Sequence, residues 1–330
     1  MPGRVVWMNG TLVPEADAKL SIFDSALMFG DMVFEMTRSF NKKQFKLREH
    51  LERLYASAKY VRISIPMTMD EMERHVEETI AANDSCFAAD DEHRIMIDVT
   101  RGGLGIYTGR VAGLEAKTNV IIADFPLRWT VASMGHLFDT GINAVIPSQR
   151  AIPASLLEPK VKNRSRLHYQ MANIEVSQTA GEDNWALLLD PDGFIAEGTG
   201  DNFFIVKNNV IITPEGRNIL RGISREYVFE LTKQLGMQCV EKNIEPYDVV
   251  TADEAFMTGT PFCILPVMRL NGQTIGNGTM GTTTKQLIDA WSANVGVDII
   301  AQIQTYERDA AKDGRGSAPT PYQFAPNVQK

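Results

Sequence analysis

The chain has 330 residues, a formal net charge of −8 and a pI near 5.3. That length exceeds what one hydrophobic core usually serves, so two domains are expected. The acidic balance argues against a nucleic-acid partner, which requires a basic face. The three cysteines and five histidines are scattered without ligand spacing. We therefore expect no disulfide framework and no metal site.

The first 125 residues predict a small α+β domain. VVWMNGTLV is typical of a hairpin around Asn9-Gly10, and residues 30–47 predict a second hairpin. Apolar residues at helical spacing predict a helix over residues 48–61, and Thr68 is a natural cap for the next helix. HRIMIDVTRGG and TNVIIADF then indicate two buried strands.

The rest of the chain predicts a larger, strand-rich domain. Residues 126–135 change character and are expected to link it to the first, and residues 136–308 form the domain itself. Helices are predicted at residues 167–179, 224–235 and 283–293. Residues 309–330 are polar and rich in Pro and Gly, which predicts a poorly packed tail.

No stretch has the composition of a secretory signal or reaches the roughly 18–20 consecutive apolar residues of a membrane span. With the scattered cysteines, this predicts a cytoplasmic protein without membrane or nucleic-acid partners.

A lysine and a glutamate in the second half point to a specific chemistry. Lys162 lies in the basic run PKVKNRSRLHY, just before a predicted helix, and Glu197 ends a strand-like run before the turn GTGDN. Taken singly, a solvated basic patch and a solvent-facing strand end are the commoner interpretations. Together they match pyridoxal phosphate (PLP) chemistry, which needs an amine for the Schiff base and a carboxylate for the pyridine nitrogen.

Three segments could supply the phosphate site that such a cofactor also needs. LRGISREYV places Ile223 and Ser224 at a helix start, with Ser224 as a natural N-cap. FMTGTPF places Gly259 and Thr260 after a strand, and HLERL places Arg53 on a helix. Each segment has an ordinary structural interpretation of its own: a cap, a turn and an exposed helical arginine.

The sequence resembles the class IV (fold-type IV) PLP-dependent aminotransferases. That family includes branched-chain and D-amino acid aminotransferases, (R)-selective amine transaminases and aminodeoxychorismate lyases. The resemblance extends from the first hairpin to about Trp291 and rests on the ordered segments FGDMVFEMTR, HLERLYASAKYVRI, TRGG, KVKN, GFIAEGTGDNFFIV, ITP, ILRGISRE and FMTGTPFCILPV.

The resemblance implies roles for single residues. Lys162 would form the Schiff base and move the proton, and Glu197 would partner the pyridine nitrogen. The phosphate would be held by Arg53, Ile223, Ser224, Gly259 and Thr260. The implied fold is a small α+β N-terminal domain with a larger strand-rich one, usually assembled as a homodimer. The implied reaction moves an amino group from an amino donor to a 2-oxo acid in a ping-pong scheme.

The resemblance leaves the substrate open, because the chain departs from every subfamily. Met36 follows the Phe34-Glu35 pair, at a position where branched-chain enzymes have a small residue. The tyrosine that those enzymes have shortly after the lysine is absent here. The Lys-Asn pair is similar to the (R)-amine enzymes, and HLERLYASAKYVRI to the D-amino acid enzymes. Candidate pocket residues are Phe29, Phe34, Met36, Arg38, Tyr107 and Pro261.

A substrate carboxylate could bind Arg38 or Arg101, although each could equally form a structural ion pair. A lyase that eliminates pyruvate, and a non-catalytic PLP-binding relative, are the competing functions.

Overall fold

The structure is a computed structural model that describes residues 3–312. The chain divides into two compact units. The first comprises Met1–Leu127 and Lys160–Arg166, and the second comprises Arg128–Pro159 and Leu167–Lys330. The segment around Lys162, which the sequence placed in the large domain, therefore groups with the first unit.

Backbone contacts explain why this segment joins the first unit. Phe34 N–H donates to the carbonyl of Lys162 at 3.0 Å, and Val33 forms an isolated antiparallel bridge with Asn163. The Ser165 hydroxyl donates to the carbonyl of Phe29 at 3.2 Å. These partners lie more than a hundred residues away, so a pattern read along the sequence could not reveal them.

The first unit is built on a six-stranded antiparallel sheet, and the predicted Asn9-Gly10 hairpin is confirmed. Asn9 and Gly10 have φ values of 52° and 102°, as a type I′ turn requires. The strands are β1 (Val5–Met8), β2 (Thr11–Pro14), β3 (Met32–Phe40), β4 (Lys43–Gln44), β5 (His93–Thr100) and β6 (Asn119–Pro126). Their spatial order is β2-β1-β6-β5-β3-β4.

Both long helices predicted for this unit are confirmed. They are α2 (Leu47–Tyr60) and α3 (Met69–Asn83), and they follow a short α1 (Ser25–Phe29) that the sequence did not reveal. Thr68 and Glu71 form a capping box at the start of α3. Leu51, Leu54 and Met72 are fully buried in one core with strand β5, and each such side chain contributes about 1.5–3 kcal/mol.

The second unit contains a nine-stranded mixed sheet. Its strands are β7 (Ile142–Val145), β8 (Asn184–Leu189), β9 (Ile195–Gly198), β10 (Asn202–Lys207), β11 (Val210–Thr213), β12 (Gln238–Glu241), β13 (Glu254–Gly259), β14 (Cys263–Leu270) and β15 (Gln273–Thr274). Their spatial order is β12-β11-β10-β13-β14-β7-β8-β9, with β15 beside β14 and an additional β10–β9 pairing. Phe204 and Phe256 stack at 4.8 Å between ring centres in the buried middle of the sheet.

The three helices predicted for the second unit are confirmed to within about two residues at each end. The helices are α4 (Arg128–Val131), α5 (Leu137–Thr140), α6 (Leu167–Ser177), α7 (Ile223–Gln234), α8 (Pro246–Val250), α9 (Thr282–Val295) and α10 (Ile299–Lys312). Strand β6 and helix α4 extend into the expected linker. Helix α10 continues four residues into the expected tail, of which residues 313–330 lie outside the described residues. Within residues 3–312, no helix is long and apolar enough to span a membrane.

Candidate active site

Lys162 is fixed through its backbone in the first unit. Its carbonyl accepts the Phe34 N–H, and its own N–H donates to the hydroxyl of Ser57 on helix α2 at 3.3 Å. Its Nζ lies 4.8 Å from the ring centre of Phe34. Strand β3 and helix α2 therefore position the main chain, while the side chain lies along an aromatic surface.

Two further cations lie over the same ring. The guanidinium of Arg164 is 3.7 Å from the ring centre of Phe34, and that of Arg166 is 5.6 Å away. Arg164 also donates to Asp98 at 3.0 Å. Burial raises the pKa of the Asp98 carboxyl, and Arg164 partly offsets that rise. The basic run, for which a solvated patch was the commoner interpretation when taken alone, is thus partly buried and structured.

Arg53 projects from helix α2 and is held by a buried carboxylate. Its Nε donates to one carboxylate oxygen of Glu35 at 2.6 Å, and its Nη2 donates to the other at 2.8 Å. His50 Nδ1–H donates to the same carboxylate at 2.7 Å. Glu35 is 0% exposed. Burial alone would raise its pKa, but Arg53 and His50 overcome that effect and lower the pKa well below its usual 4.5. Glu35 is therefore ionised and fixes the guanidinium.

His50 stays neutral in this arrangement. Burial is the largest influence and lowers its pKa, against a partial rise caused by Glu35. The nearby charges of Arg53 and Lys162 lower its pKa further.

In the second unit, Glu197 is buried near the end of β9, at 4% exposure. Its Oε1 accepts the Tyr169 hydroxyl at 2.8 Å. Its Oε2 accepts Asn202 Nδ2–H at 3.1 Å and the Leu220 N–H at 2.9 Å. These three donors are neutral, so they stabilise the carboxylate without cancelling its charge. The solvent-facing alternative considered for Glu197 is not what the structure shows.

Strand register aligns Glu197 with two further polar side chains. Asn202 on β10 pairs with Glu197 on one side and with Thr258 on β13 on the other. Directly paired residues point to the same face of a sheet, so the three side chains form one row. The Thr258 hydroxyl is buried and has no hydrogen-bond partner among the described residues.

Helix α7 begins one residue earlier than the sequence suggested. The N-cap is Gly222, in an extended conformation, so the expectation that Ser224 caps the helix is wrong. A Cβ at position 222 would lie 2.1 Å from Asn202 Oδ1, which excludes any side chain that could act as a cap there. Ile223 and Ser224 occupy the first turn instead, where backbone N–H groups lack intrahelical acceptors and favour an anion.

The turn after β13 is tightly packed. Gly259 ends the strand, and a Cβ there would meet the Phe262 ring at 2.6 Å. Thr260 and Pro261 follow in the turn. Cys263, the first residue of β14, is buried with φ at 66°, a left-handed conformation that is unusual for a residue with a side chain. The backbone of this turn is therefore held in one strained shape.

The predicted pocket residues are only partly brought together. Phe34, Met36 and Arg38 share one face of β3, since side chains alternate along a strand. Arg38 is fully buried, with its guanidinium 3.9 Å from the ring centre of Phe40.

Other candidates lie on other elements of the first unit. Phe29 on α1 is 68% exposed, and Tyr107 packs on Phe23 at 4.9 Å between ring centres. Arg101 donates twice to Asp31 and also to backbone carbonyls, as a structural ion pair does.

A family profile described as "Amino-transferase class IV" matches residues 32–270. The chain belongs to the class IV aminotransferase family. The expected family, fold type and enzyme class, a PLP-dependent transaminase, are thereby confirmed.

Relatives and solved structures of this aminotransferase agree with one another. A Methanocaldococcus jannaschii protein described as a putative branched-chain-amino-acid aminotransferase is 40% identical, over 86% of this chain and 93% of its own length. The Escherichia coli branched-chain amino acid aminotransferase structure superposes with a TM-score of 0.78 at 30% identity, covering 89% of this chain and 94% of that one. The T.th. branched-chain enzyme complexed with N-(5′-phosphopyridoxyl)-L-glutamate has a TM-score of 0.75 at 29% identity, covering 93% and 97%.

The residues of this aminotransferase fit the cofactor that its family uses. PLP presents a ring nitrogen, a phosphate and an aldehyde. The structure offers a buried carboxylate at Glu197, a helix N-terminus at Ile223 and a buried hydroxyl at Thr258 that lacks a partner among the described residues. No cluster of three or more metal-ligating side chains occurs within residues 3–312.

Four residues that surround Glu197 and Arg53 were not predicted from the sequence. Tyr169, Asn202 and Leu220 donate to Glu197, and Glu35 holds Arg53. Glu35 could have been suspected from the FE pair, because a charged residue inside an apolar strand needs a partner. The donors to Glu197 had no comparable local signal.

Proposed function

We propose that this aminotransferase moves the amino group of a branched-chain L-amino acid to a 2-oxo acid. The names of its relatives support the donor class. The observation that supports the chemistry best is Glu197, a buried carboxylate held by three neutral donors, as a cationic pyridinium partner would require.

We assign the cofactor contacts as follows. Lys162 would supply the amine that binds the PLP aldehyde, and Glu197 would face the pyridine nitrogen. The phosphate contacts are Arg53, Ile223, Ser224, Gly259 and Thr260. Arg53 fits this role because Glu35 orients its guanidinium, which has five N–H donors of which a bidentate carboxylate accepts two.

Bound PLP supplies an electron sink for the charge that develops when the substrate α-proton leaves. Lys162 is the residue that takes and returns that proton. Its backbone bonds to Phe34 and Ser57 hold the Cα fixed, so only the side chain moves during the transfer. Glu197 holds the ring-nitrogen proton in place while this happens.

The face of β3 that includes Phe34 and Met36 has features that suit both the amino donor and the 2-oxo acid acceptor. Met36, which is partly exposed, provides apolar surface for an aliphatic side chain, whereas Phe34 is buried with Arg164 over its ring. Arg94 on β5 donates to Met36 Sδ at 3.7 Å, and its Nε is buried without a partner among the described residues. Burial and the charges of Arg38 and Arg164 lower the pKa of Arg94 to about 10.

The buried guanidinium of Arg94, whose Nε has no partner among the described residues, supports a dicarboxylate, such as 2-oxoglutarate, as the amino acceptor. The glutamate adduct bound by the T.th. enzyme is consistent with that choice.

We further propose that the protein is a cytoplasmic homodimer. Ile22, Leu27, Phe29 and Ile106 are large apolar side chains of the first unit with 64–71% exposure. A second copy of the chain would cover such residues. The three cysteines are half-buried or buried and spread along the chain, which is consistent with a reducing compartment.

A half-reaction screen tests the proposed function. PLP-loaded protein should show a Schiff-base absorbance band at about 410–420 nm, absent in Lys162→Ala and retained in the matched control Lys160→Ala. L-Leucine, L-valine and L-glutamate should bleach the band, whereas D-amino acids and (R)-amines should not. Bleaching by the D- or (R)-donors alone would refute the substrate assignment. Pyruvate release from aminodeoxychorismate, without transamination, would instead establish the lyase function.

A further inference from the structure

Tyr169 donates its hydroxyl to Glu197 Oε1, whereas Glu197 Oε2 accepts both Asn202 and Leu220. Tyr169 lies in the first turn of α6, and its ring packs beside His168 at 4.0 Å between ring centres. The ring also packs against the apolar cluster that contains Ala172. Neither the family assignment nor the proposed cofactor contacts use this phenol.

We propose that Tyr169 is a positioning residue that sets the basicity of Glu197 and thereby the position of the proton between Glu197 and the PLP ring nitrogen. The proposal rests on the proposed role of Glu197. In this role Tyr169 acts through the carboxylate and not on the reacting atoms.

The physical reason is the effect of hydrogen bonds on a buried carboxylate. Each donor favours the ionised form, and removing one makes the carboxylate a stronger base. A more basic Glu197 draws the shared proton away from the ring nitrogen, which weakens the ring as an electron sink. A hydrogen bond to a charged group has a strength that corresponds to about a 10–100-fold change in rate or equilibrium.

The geometry separates this role from simple packing. The hydroxyl of Tyr169 points to Oε1 at 2.8 Å, while its ring makes the apolar contacts. Tyr169→Phe therefore removes the donor and keeps the packing. Tyr227→Phe is the matched control: Tyr227 is a buried phenol of the same unit whose oxygen accepts Asn294 Nδ2–H at 2.9 Å.

The decisive measurement is the ¹⁵N chemical shift of the pyridine nitrogen in protein loaded with ¹⁵N-labelled PLP. In Tyr169→Phe the shift should move toward that of a neutral pyridine. The rate of the half-reaction should fall about 10–100-fold, mainly in kcat with little change in KM. Replacing Tyr169 by 3-fluorotyrosine, whose hydroxyl is a stronger donor, should move the shift the opposite way. Tyr227→Phe should leave both readouts unchanged.

Two outcomes separate failure of the inference from failure of the proposed function. If Glu197→Gln moves the ¹⁵N shift but Tyr169→Phe and the fluorotyrosine variant do not, the inference is wrong and the role of Glu197 stands. If Glu197→Gln also leaves the shift unchanged, the proposed role of Glu197 is wrong as well. Should Tyr169→Phe fail to fold, the fluorotyrosine variant alone decides, since it retains both the ring and the bond.

Discussion

Replacing Glu35 with glutamine should destabilise the first unit strongly. The substitution keeps the volume of the side chain but removes the charge that faces Arg53 and His50. Glu35 is 0% exposed and the Arg53 side chain is 12% exposed, so water cannot replace the lost partner. Breaking one member of a buried ion pair costs about 3–5 kcal/mol, because the other charge is left uncompensated. The free energy of unfolding, measured by urea titration of the PLP-free protein, should fall by that amount.

PLP should restore part of this loss if Arg53 binds its phosphate. An uncompensated guanidinium binds a phosphate more strongly than a neutralised one, so PLP should raise the melting temperature of Glu35→Gln more than that of the wild type. Asp124→Asn is the matched control, since Asp124 is another buried carboxylate of this unit that pairs with a histidine, His93. An equal PLP-induced rise in both variants would refute the phosphate role of Arg53. A loss below about 1 kcal/mol in Glu35→Gln would refute the account of the ion pair.

The pH dependence has a defined sign. The folded-state pKa values of Glu35 and His50 both lie below their usual values of 4.5 and 6.5. The unfolded chain therefore binds more protons, and stability is lost as the pH falls, first below 6.5 through His50 and then below 4.5 through Glu35. In an acid titration, Glu35→Gln should not show the loss of stability below pH 4.5 that Glu35 causes in the wild type.

Three further predictions concern single contacts. Gly30 has φ at 66°, and a Cβ there would lie 2.7 Å from Ser165 Oγ. Gly30→Ala should therefore lower the free energy of unfolding by about 1–3 kcal/mol. It should also slow the half-reaction, because the added methyl group displaces the segment after Lys162. Thr258→Val should raise the melting temperature of PLP-free protein, because it removes a buried hydroxyl that has no partner among the described residues. The same substitution should weaken PLP binding. An unchanged PLP affinity would count against a contact between Thr258 and the cofactor. Partial burial alone would lower the pKa of His136, but hydrogen bonds to Asp183 and Glu307 outweigh that effect and raise the pKa above its usual 6.5. These bonds should therefore stabilise the fold fully below pH 6.5 and lose that contribution as the pH rises through the raised pKa. Melting His136→Gln and wild type on both sides of that range checks the difference.

Local patterns predicted much of the fold. The Asn9-Gly10 turn and the Thr68–Glu71 capping box are each encoded by residues within a few positions of one another. Helix α10 was missed because its polar second half resembles the tail that follows it. Ser224 was misassigned as a cap because the close approach of Gly222 to Asn202 depends on a strand elsewhere in the sequence.

The candidate site shows the same division. Lys162 and Glu197 could be proposed from the order and spacing of their segments and from the family resemblance. Their partners were not, since Tyr169 and Leu220 reach Glu197 only through the packing of α6 and the loop before α7 against the sheet. Contacts of this kind depend on tertiary structure, so a single sequence gives no periodicity from which to infer them.

The network around Glu197 also explains why its supporting residues belong together. Asn202 Nδ2–H donates both to Glu197 and to the carbonyl of Leu220, and the N–H of Leu220 returns to the same carboxylate. Leu220 lies two residues before Gly222, whose missing side chain leaves room for Asn202 Oδ1. The carboxylate assigned to the ring nitrogen and the helix start assigned to the phosphate are therefore fixed by one set of hydrogen bonds. A change at either end of this network should alter the other, because the distance between the two ends of the cofactor is constant.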